Sequence, residues 1–535
     1  MTPSLDEPTI GSPDHGFVGI DKIELKARIG ENLNRHPAVG LAVGVVRNGS
    51  LESFHGHGLA DIASNSPITE DTVFRIASIT KTFTAVAVMQ LWEQGLVDLD
   101  APANDHLCGY TLVPAKPSFR PATVRQLLTH TAGIPEVVYA ADLLHPRWGP
   151  FDARPAVYSV RVGAPLPSLA EYYRGGLRLV VEPGSAFAYS NHGFATLGQL
   201  VEDVSGMPLE RYIRERIFEP LGMADSDLVR SERVASRLAT GYVLGPRGAK
   251  AVPDRDWVGA GGGGIYSTTR DLARYLAALL GGGANEHGSV LKPATLATMF
   301  EPHYQPDPRL PGVGLAFFRS DAGGHRVVGH EGILPGFNSA LSLAPDDGIG
   351  VIALTNGSSG AFVWLPIELG RLLRHLLDVP DEIVRTDVPH HPEIWGDICG
   401  HYRLPEGISD LRQRVMMAGG AEVFIRGGRP MVRVLTPVPA LYRSFPLHPD
   451  DEKDPYVFRL DLSRFGMATV RVVFSREAGV GTTAAHTDLQ SLSLYKRPAC
   501  GSPAAWSTVA LSSLAVATAV AAGRRRSRRH ERRSA

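Results

Sequence analysis

The chain has 535 residues, 44% of them hydrophobic and 20% charged, with a formal net charge of −1. That composition is soluble and globular, and the length supports more than one hydrophobic core. Seven arginines and one glutamate crowd into residues 524–535, so the remaining chain is mildly acidic, which excludes a general nucleic-acid-binding surface. The three cysteines, Cys108, Cys399 and Cys500, are too few and too dispersed for a disulfide framework or a metal site.

Residues 1–18 read as a polar, proline-bearing leader. They lack the basic and apolar regions of a secretory signal, which points to a cytoplasmic location. Ile23, Leu25, Ile29 and Leu33 are spaced for a helix over 21–36. The apolar, β-branched run 38–47 predicts a strand, and Asn48-Gly49 predicts a tight hairpin to a second strand over about 50–59. Residues 78–95 contain no proline and are apolar nearly all round, which predicts a buried helix stopped at Gly95. Further helices are expected over 123–130, 192–206, 209–218 and 267–283, the last opened by a Thr268–Asp271 pair of capping-box type. Residues 339–344 and 349–356 form a second predicted hairpin, and 364–377 an amphipathic closing helix. A helical middle flanked by strand pairs from both ends implies an α+β domain over 19–379, with one sheet built from both ends of the segment.

Residues 380–396 read as a linker. Beyond it, short strands alternate with turns, which predicts a small all-β barrel or sandwich over 397–498. In the tail, 499–535, residues 504–523 carry no charge and precede the arginine cluster. Their length fits a membrane span, but their Ala, Ser and Thr content equally fits a surface-lying tail, so membrane contact is expected, if anywhere, through 504–535.

Three motifs carry chemistry. In FRIASITKTFTA (74–85), Ser78 and Lys81 lie three apart, so on a helix they share a face. A buried lysine is disfavoured as an ammonium, and a neutral amine beside a serine can take its proton. The amide of a serine at a helix start is also free to stabilise an oxyanion. Alone, the pair fits a capped helix with a snorkelling lysine, but the apolar neighbours leave little room to snorkel. PGSAFAYSNHG (183–193) places Tyr189 and Asn191 before a helix, a phenol for proton relay and a carboxamide for a substrate or the lysine. By itself this also fits a helix-capping asparagine. GHEGILPGFNSAL (329–341) offers His330 as a donor to a substrate carboxylate or carbonyl, and Gly332 as a site of close backbone approach.

In this order, Ser78-Ile79-Thr80-Lys81, Tyr189-Ser190-Asn191 and His330-Glu331-Gly332 resemble the serine β-lactamase and penicillin-binding-protein superfamily. The Tyr-x-Asn and His-x-Gly forms are similar to the class C branch with its esterases, D,D-peptidases and D-aminopeptidases. The resemblance covers about 35–375 and implies a β-lactamase/transpeptidase-like antiparallel sheet with a helical domain. It implies Ser78 as nucleophile, Lys81 as its base, Tyr189 as proton shuttle and Asn191 as orienter of substrate and lysine. The N–H groups of Ser78 and Ile333 would form the oxyanion hole. His330 stands where many relatives carry lysine, which weakens a clamp for a β-lactam carboxylate. The C-terminal β region resembles the lipocalin-like appendix of some family peptidases and thioesterases. The implied function is a serine hydrolase acting on an ester, an amide or a D-amino-acid-containing peptide, without metal or cofactor and with a small-molecule or peptide acyl partner. The alternatives are an acyl transferase that cyclises peptides and a non-catalytic scaffold. The glycine run 260–264 lacks the Gly-Lys-Ser/Thr of a phosphate loop and reads as close packing, and His390-His391 lack companion metal ligands. Residues 136–181 are expected to shape the substrate site.

Overall fold

A computed structural model describes residues 22–136, 159–174, 176–405, 417, 419–436, 443–465 and 468–497. The leader, the tail and half of the segment 136–181 lie outside the described residues.

The first domain is built on a seven-stranded antiparallel sheet. Its order is Phe318–Ala322, His325–Leu334, Phe337–Ala344, Ile349–Thr355, Gly40–Arg47, Ser50–Asp61 and Ser66–Pro67. The central strand Gly40–Arg47 is buried along its whole length. It pairs with its hairpin partner on one side and with Ile349–Thr355 on the other, Val43 opposite Ala353. The two ends of the domain therefore meet in the middle of one sheet. Asn48 and Gly49 both take positive φ, 52° and 74°, the conformation a tight hairpin demands. The two outer strands, Phe318–Ala322 and His325–Leu334, were not expected as a pair. Their glycines and charges break the period-two pattern that marks a strand.

One sheet face is covered by the helices Lys22–Arg35 and Ala361–Leu376, which bury Leu25, Ile29, Trp364, Leu369 and Leu373 against Val43, Val45 and Val351. The other face packs on Thr269–Leu280 and on a helical layer that includes Thr80–Glu93, Asn191–Ser205 and Leu209–Ile213. In Thr268–Asp271 only half of the expected capping box forms. Thr268 Oγ1 accepts from Asp271 N at 3.0 Å, while the Asp271 carboxylate accepts from Ser226 Oγ and Asp225 N instead. Burial pushes the Asp271 carboxyl up to about 6.

The second domain is a closed barrel of eight antiparallel strands, from Gly400–Arg403 to Ser493–Arg497. Closure removes the exposed edges that an open sheet would leave. Tyr402, Phe458, Val472 and Phe474 fill its core. The stretch 380–396 is not a free linker throughout, because Ile394, on a short helix, is buried in that core. The barrel docks on the first domain through Arg309, which donates to Asp307, Asp454 and the carbonyl of Phe474. Leu310 packs with Val457 and Val473 beside it. Among the described residues no helix is long and apolar enough to cross a membrane.

Candidate active site

The residues Thr72–Met89 are all buried except Ser78, which is part-exposed. A single 3-10 turn, Ala77–Ile79, precedes the helix Thr80–Glu93 and sets Ser78 at its start. Ala77 has φ +49°, a conformation costly for a residue with a Cβ and found where surrounding structure enforces it. The enforcing contact is visible. Ser339 Oγ donates to Ile76 O at 2.7 Å, and Gly332 is pressed so closely that a Cβ there would lie 2.3 Å from Ile76 O and 3.0 Å from Ala77 Cβ. Only glycine fits.

Lys81, one helical turn on, has no solvent exposure. Its Nζ lies 3.0 Å from Ser78 Oγ, 2.6 Å from Asn191 Oδ1 and 2.5 Å from Gly262 O. Glycines let the third contact form. Gly261 packs where a Cβ would come within 2.9 Å of Phe194 O, and Thr84 Oγ1 donates to Gly261 O at 2.7 Å. The run Ala260–Gly264 thus brings a backbone carbonyl to the lysine, in line with the packing role read from the sequence.

The helix Asn191–Ser205 is capped by Ser190, whose Oγ accepts from Gly193 N. Asn191 is thereby released from capping and serves the site. Its orientation is set by Glu136, which accepts from Asn191 Nδ2 at 2.6 Å and from Asn191 N at 2.9 Å. With the donor end of the amide committed to a carboxylate, the Oδ1 end faces Lys81. Glu136 sits at the edge of the segment expected to shape the substrate site, but nothing in its sequence context singles it out.

Tyr189 lies with its ring 4.9 Å from Lys81 Nζ. It stacks on His130 at 4.3 Å between centroids, and its ring is 6.4 Å from that of His330. His130 also escaped the sequence reading, although it falls inside TVRQLLTHTAGIP. Its Nδ1 accepts from Ser190 N at 3.1 Å, so the proton of the neutral ring sits on Nε2. Its φ is +58°. Burial, then the nearby Lys81 and His330, hold its pKa well below the ordinary histidine value.

His330 is placed in the site but in a different chemical role from the one expected. Its Nδ1 donates to the carbonyl of Glu331 at 2.6 Å. Burial, with Lys81 adding to it, pushes its pKa down to about 3, so the ring is neutral and Nε2 presents a lone pair. The sequence suggested a donor to a substrate carboxylate; the fold makes an acceptor. Ile333, directly after Gly332, is 39% exposed. The last pair between the two outer strands is Phe318 with Gly329, so among the described residues 330–334 have no strand partner on that side. Ser78, Lys81 and Asn191 are joined by direct contacts, Tyr189 and His330 flank them, and Gly332 and Ile333 lie on the strand pressed against the serine turn. Among the described residues no cluster of three or more His, Cys, Asp or Glu could hold a metal ion.

A Ser-x-x-Lys pair with its lysine buried at a helix start, a Tyr-x-Asn turn and a glycine strand against the serine come together on an α+β scaffold, the arrangement expected of a β-lactamase-like serine site. The beta-lactamase family model matches residues 25–366, and the chain belongs to that family. It is 30% identical over 313 residues to "Putative beta-lactamase-like 1" of Homo sapiens, covering 56% of this chain and 56% of that protein. It is 32% identical over 273 residues to "Acyltransferase calJ" of Penicillium decumbens, covering 47% of this chain and 61% of that one. These matches thus span little more than half the length of such curated relatives. The octameric penicillin-binding protein homologue of Pyrococcus abyssi superposes with a TM-score of 0.55 at 25% identity, over 89% of this chain and all of that one. The match extends past the first domain, in keeping with an all-β appendix on the β-lactamase-like fold.

Proposed function

We propose that the protein is a serine hydrolase that cleaves an ester or amide through an acyl-enzyme on Ser78. The observation that carries this reading is the lysine's set of contacts. Asn191 Oδ1 and Gly262 O occupy two of its hydrogen-bond positions, and both are acceptors, so two N–H groups are committed to them. A third contact is made to Ser78 Oγ, 3.0 Å away. In the neutral amine that contact is made by the lone pair, and Lys81 takes the serine proton as Oγ attacks the substrate carbonyl. The tetrahedral oxyanion is held by the N–H groups of Ser78 and Ile333, each donor worth about 3 kcal/mol. The proton passes through Tyr189 to the departing alcohol or amine as its bond to carbon breaks. Water then attacks the ester on Ser78, and the carboxylic acid leaves with Oγ reprotonated.

The substrate preference follows from the edge strand. A neutral His330 offers no positive charge to a substrate carboxylate. Glu331 beside it is solvent-accessible and has no ion-pair partner among the described residues. Neutral or amine-bearing acyl groups suit this edge better than the carboxylate of a β-lactam. The names of similar proteins support acyl chemistry of this kind, among them "Esterase EstB" of Burkholderia gladioli, 30% identical over 308 residues.

The test is intact-mass spectrometry after exposure to a fluorophosphonate and to a panel of small esters. One phosphonyl adduct on the wild-type chain and none on Ser78→Ala is expected. An adduct that persists on Ser78→Ala, or ester hydrolysis unchanged by it, would overturn the assignment to Ser78, and no adduct or hydrolysis with either chain would favour the scaffold reading. Release of a cyclic product from a linear peptide thioester would instead favour acyl transfer to an internal amine.

A further inference from the structure

The barrel carries a feature with no part in this chemistry. A groove of about 720 Å³ opens at one end of it, lined by Arg426, Arg429, Arg433 and Arg443 with His390. Arg426 and Arg429 stand directly opposite each other in register, across a two-residue turn. That turn is Gly427-Gly428, with φ +60° and +69°, a tight form that fixes the two strands side by side. Like charges placed opposite on neighbouring strands repel. Arg433 is held by an ion pair with Glu422 and by the Phe424 ring, 5.1 Å from its guanidinium carbon. Arg426, Arg429 and Arg443 have no ion-pair partner among the described residues, and all three are exposed. Asp461, two strands away from Arg429, accepts from Ser463 N and lies close to His448. Beside the pair, Ile425 is 42% exposed.

The register also locates this groove relative to the chain's course. Gly400 pairs with Val423 and Tyr402 with Ala421, while His401 pairs with Arg497 and Arg403 with Tyr495. The strands leading to Arg426 and to Arg497 therefore run in the same direction on either side of one shared neighbour. Arg497 lies level with Glu422, about 13 Å along the strand from Arg426 and two strand spacings, about 10 Å, across. From this barrel end the sequence continues into the uncharged run 504–523 and the seven arginines of 524–535.

We propose that this end of the barrel docks on an anionic lipid surface, with headgroup phosphates seated among Arg426, Arg429, Arg433 and Arg443. Guanidinium forks match phosphate oxygens, an exposed isoleucine beside them suits the headgroup boundary, and the charge that follows in the sequence has the same sign. Each basic side chain at such a surface contributes about fivefold in affinity.

The test is co-sedimentation of the full-length chain with phosphatidylcholine vesicles, with and without phosphatidylglycerol. Binding only to the phosphatidylglycerol vesicles is expected, weakening with salt. The triple variant Arg426→Gln, Arg429→Gln, Arg443→Gln, its tail intact, should partition about 10²-fold more weakly with ester hydrolysis unchanged. If the triple variant does not fold, Arg429→Gln and Arg443→Gln singly should each weaken partitioning about fivefold. Four results would overturn the proposal: unchanged partitioning of these variants, equal binding to neutral vesicles, displacement by free glycerol phosphate, which would mark a soluble-anion site, or tighter binding of an oligonucleotide through the same arginines.

Discussion

Replacing Gly332 by alanine probes the contact on which the catalytic geometry rests. The new Cβ would lie 2.2 Å from Ser339 Oγ, 2.3 Å from Ile76 O and 3.0 Å from Ala77 Cβ. The hydroxyl can turn away. The carbonyl cannot, because Ile76 leads directly into the strained Ala77 that presents Ser78. The edge strand must therefore retreat by about 1 Å, and a misplacement of that size costs about 10²-fold in rate. The retreat carries Ile333 N–H out of the oxyanion position, and loss of one such donor costs about 10²–10³ in kcat. Overpacking of this kind also costs about 1–3 kcal/mol of stability. The assay is steady-state hydrolysis of p-nitrophenyl acetate with thermal unfolding in parallel. A 10²–10³-fold fall in kcat at nearly constant KM is expected. Adding Ser339→Gly relieves only the hydroxyl contact, so it restores part of the stability and little of the activity. A Gly332→Ala chain with kcat within about twofold of wild type would refute the reasoning.

Lys81→Met removes the proposed base and leaves Asn191 Oδ1 and Gly262 O without their donor; kcat/KM should fall by about 10²–10⁴-fold, read as a slowed rate of fluorophosphonate labelling. Glu136→Gln presents an amide where Asn191 needs two acceptors, so the Asn191 carboxamide loses its fixed orientation; a drop in kcat/KM of about 10–100-fold is expected, partly recovered in Glu136→Asp. The pH dependence of stability tests His330. Its folded pKa is lowered to about 3, so as pH falls below about 6.5 the unfolded chain takes up a proton that the folded chain refuses, and stability drops by about 2 kcal/mol between pH 7 and 5. The carboxyl of Asp271, raised to about 6, works in the opposite sense, its contribution being lost as pH rises. The difference between wild type and His330→Asn in denaturant melts isolates the histidine, and equal pH slopes in the two chains would contradict its burial as a neutral ring.

Much of the first domain is legible in the chain because its signals are local. The Asn48-Gly49 turn, the continuous apolar run of 40–47 and the uniformly apolar helix after Ser78 each follow from a backbone conformation or a burial pattern that neighbouring residues impose. The motif order from Ser78 through Asn191 to Gly332 likewise identifies the family, since each motif is compact. The strands Phe318–Ala322 and His325–Leu334 were hidden because residues such as Gly329 and Gly332 are there for close approach to another segment, which removes the side chains that would announce a strand. Gly400–Arg403 and Gly481–Thr487, needed to close the barrel, carry no run of large apolar residues that would mark a strand.

The sequence by itself determined which side chains are capable of chemistry and which segments must be buried, because hydrophobic burial and turn geometry act over a few residues. Only the tertiary structure decided what those side chains do. It turned His330 from a donor into an acceptor by burying it and giving its Nδ1 proton to Glu331 O. It brought Glu136 and His130 to the motif residues Asn191 and Tyr189, and it placed four arginines at the barrel end where the chain runs out to its tail. Protonation state and hydrogen-bond role depend on desolvation and on partners brought together from across the chain, and those exist only once the fold has formed.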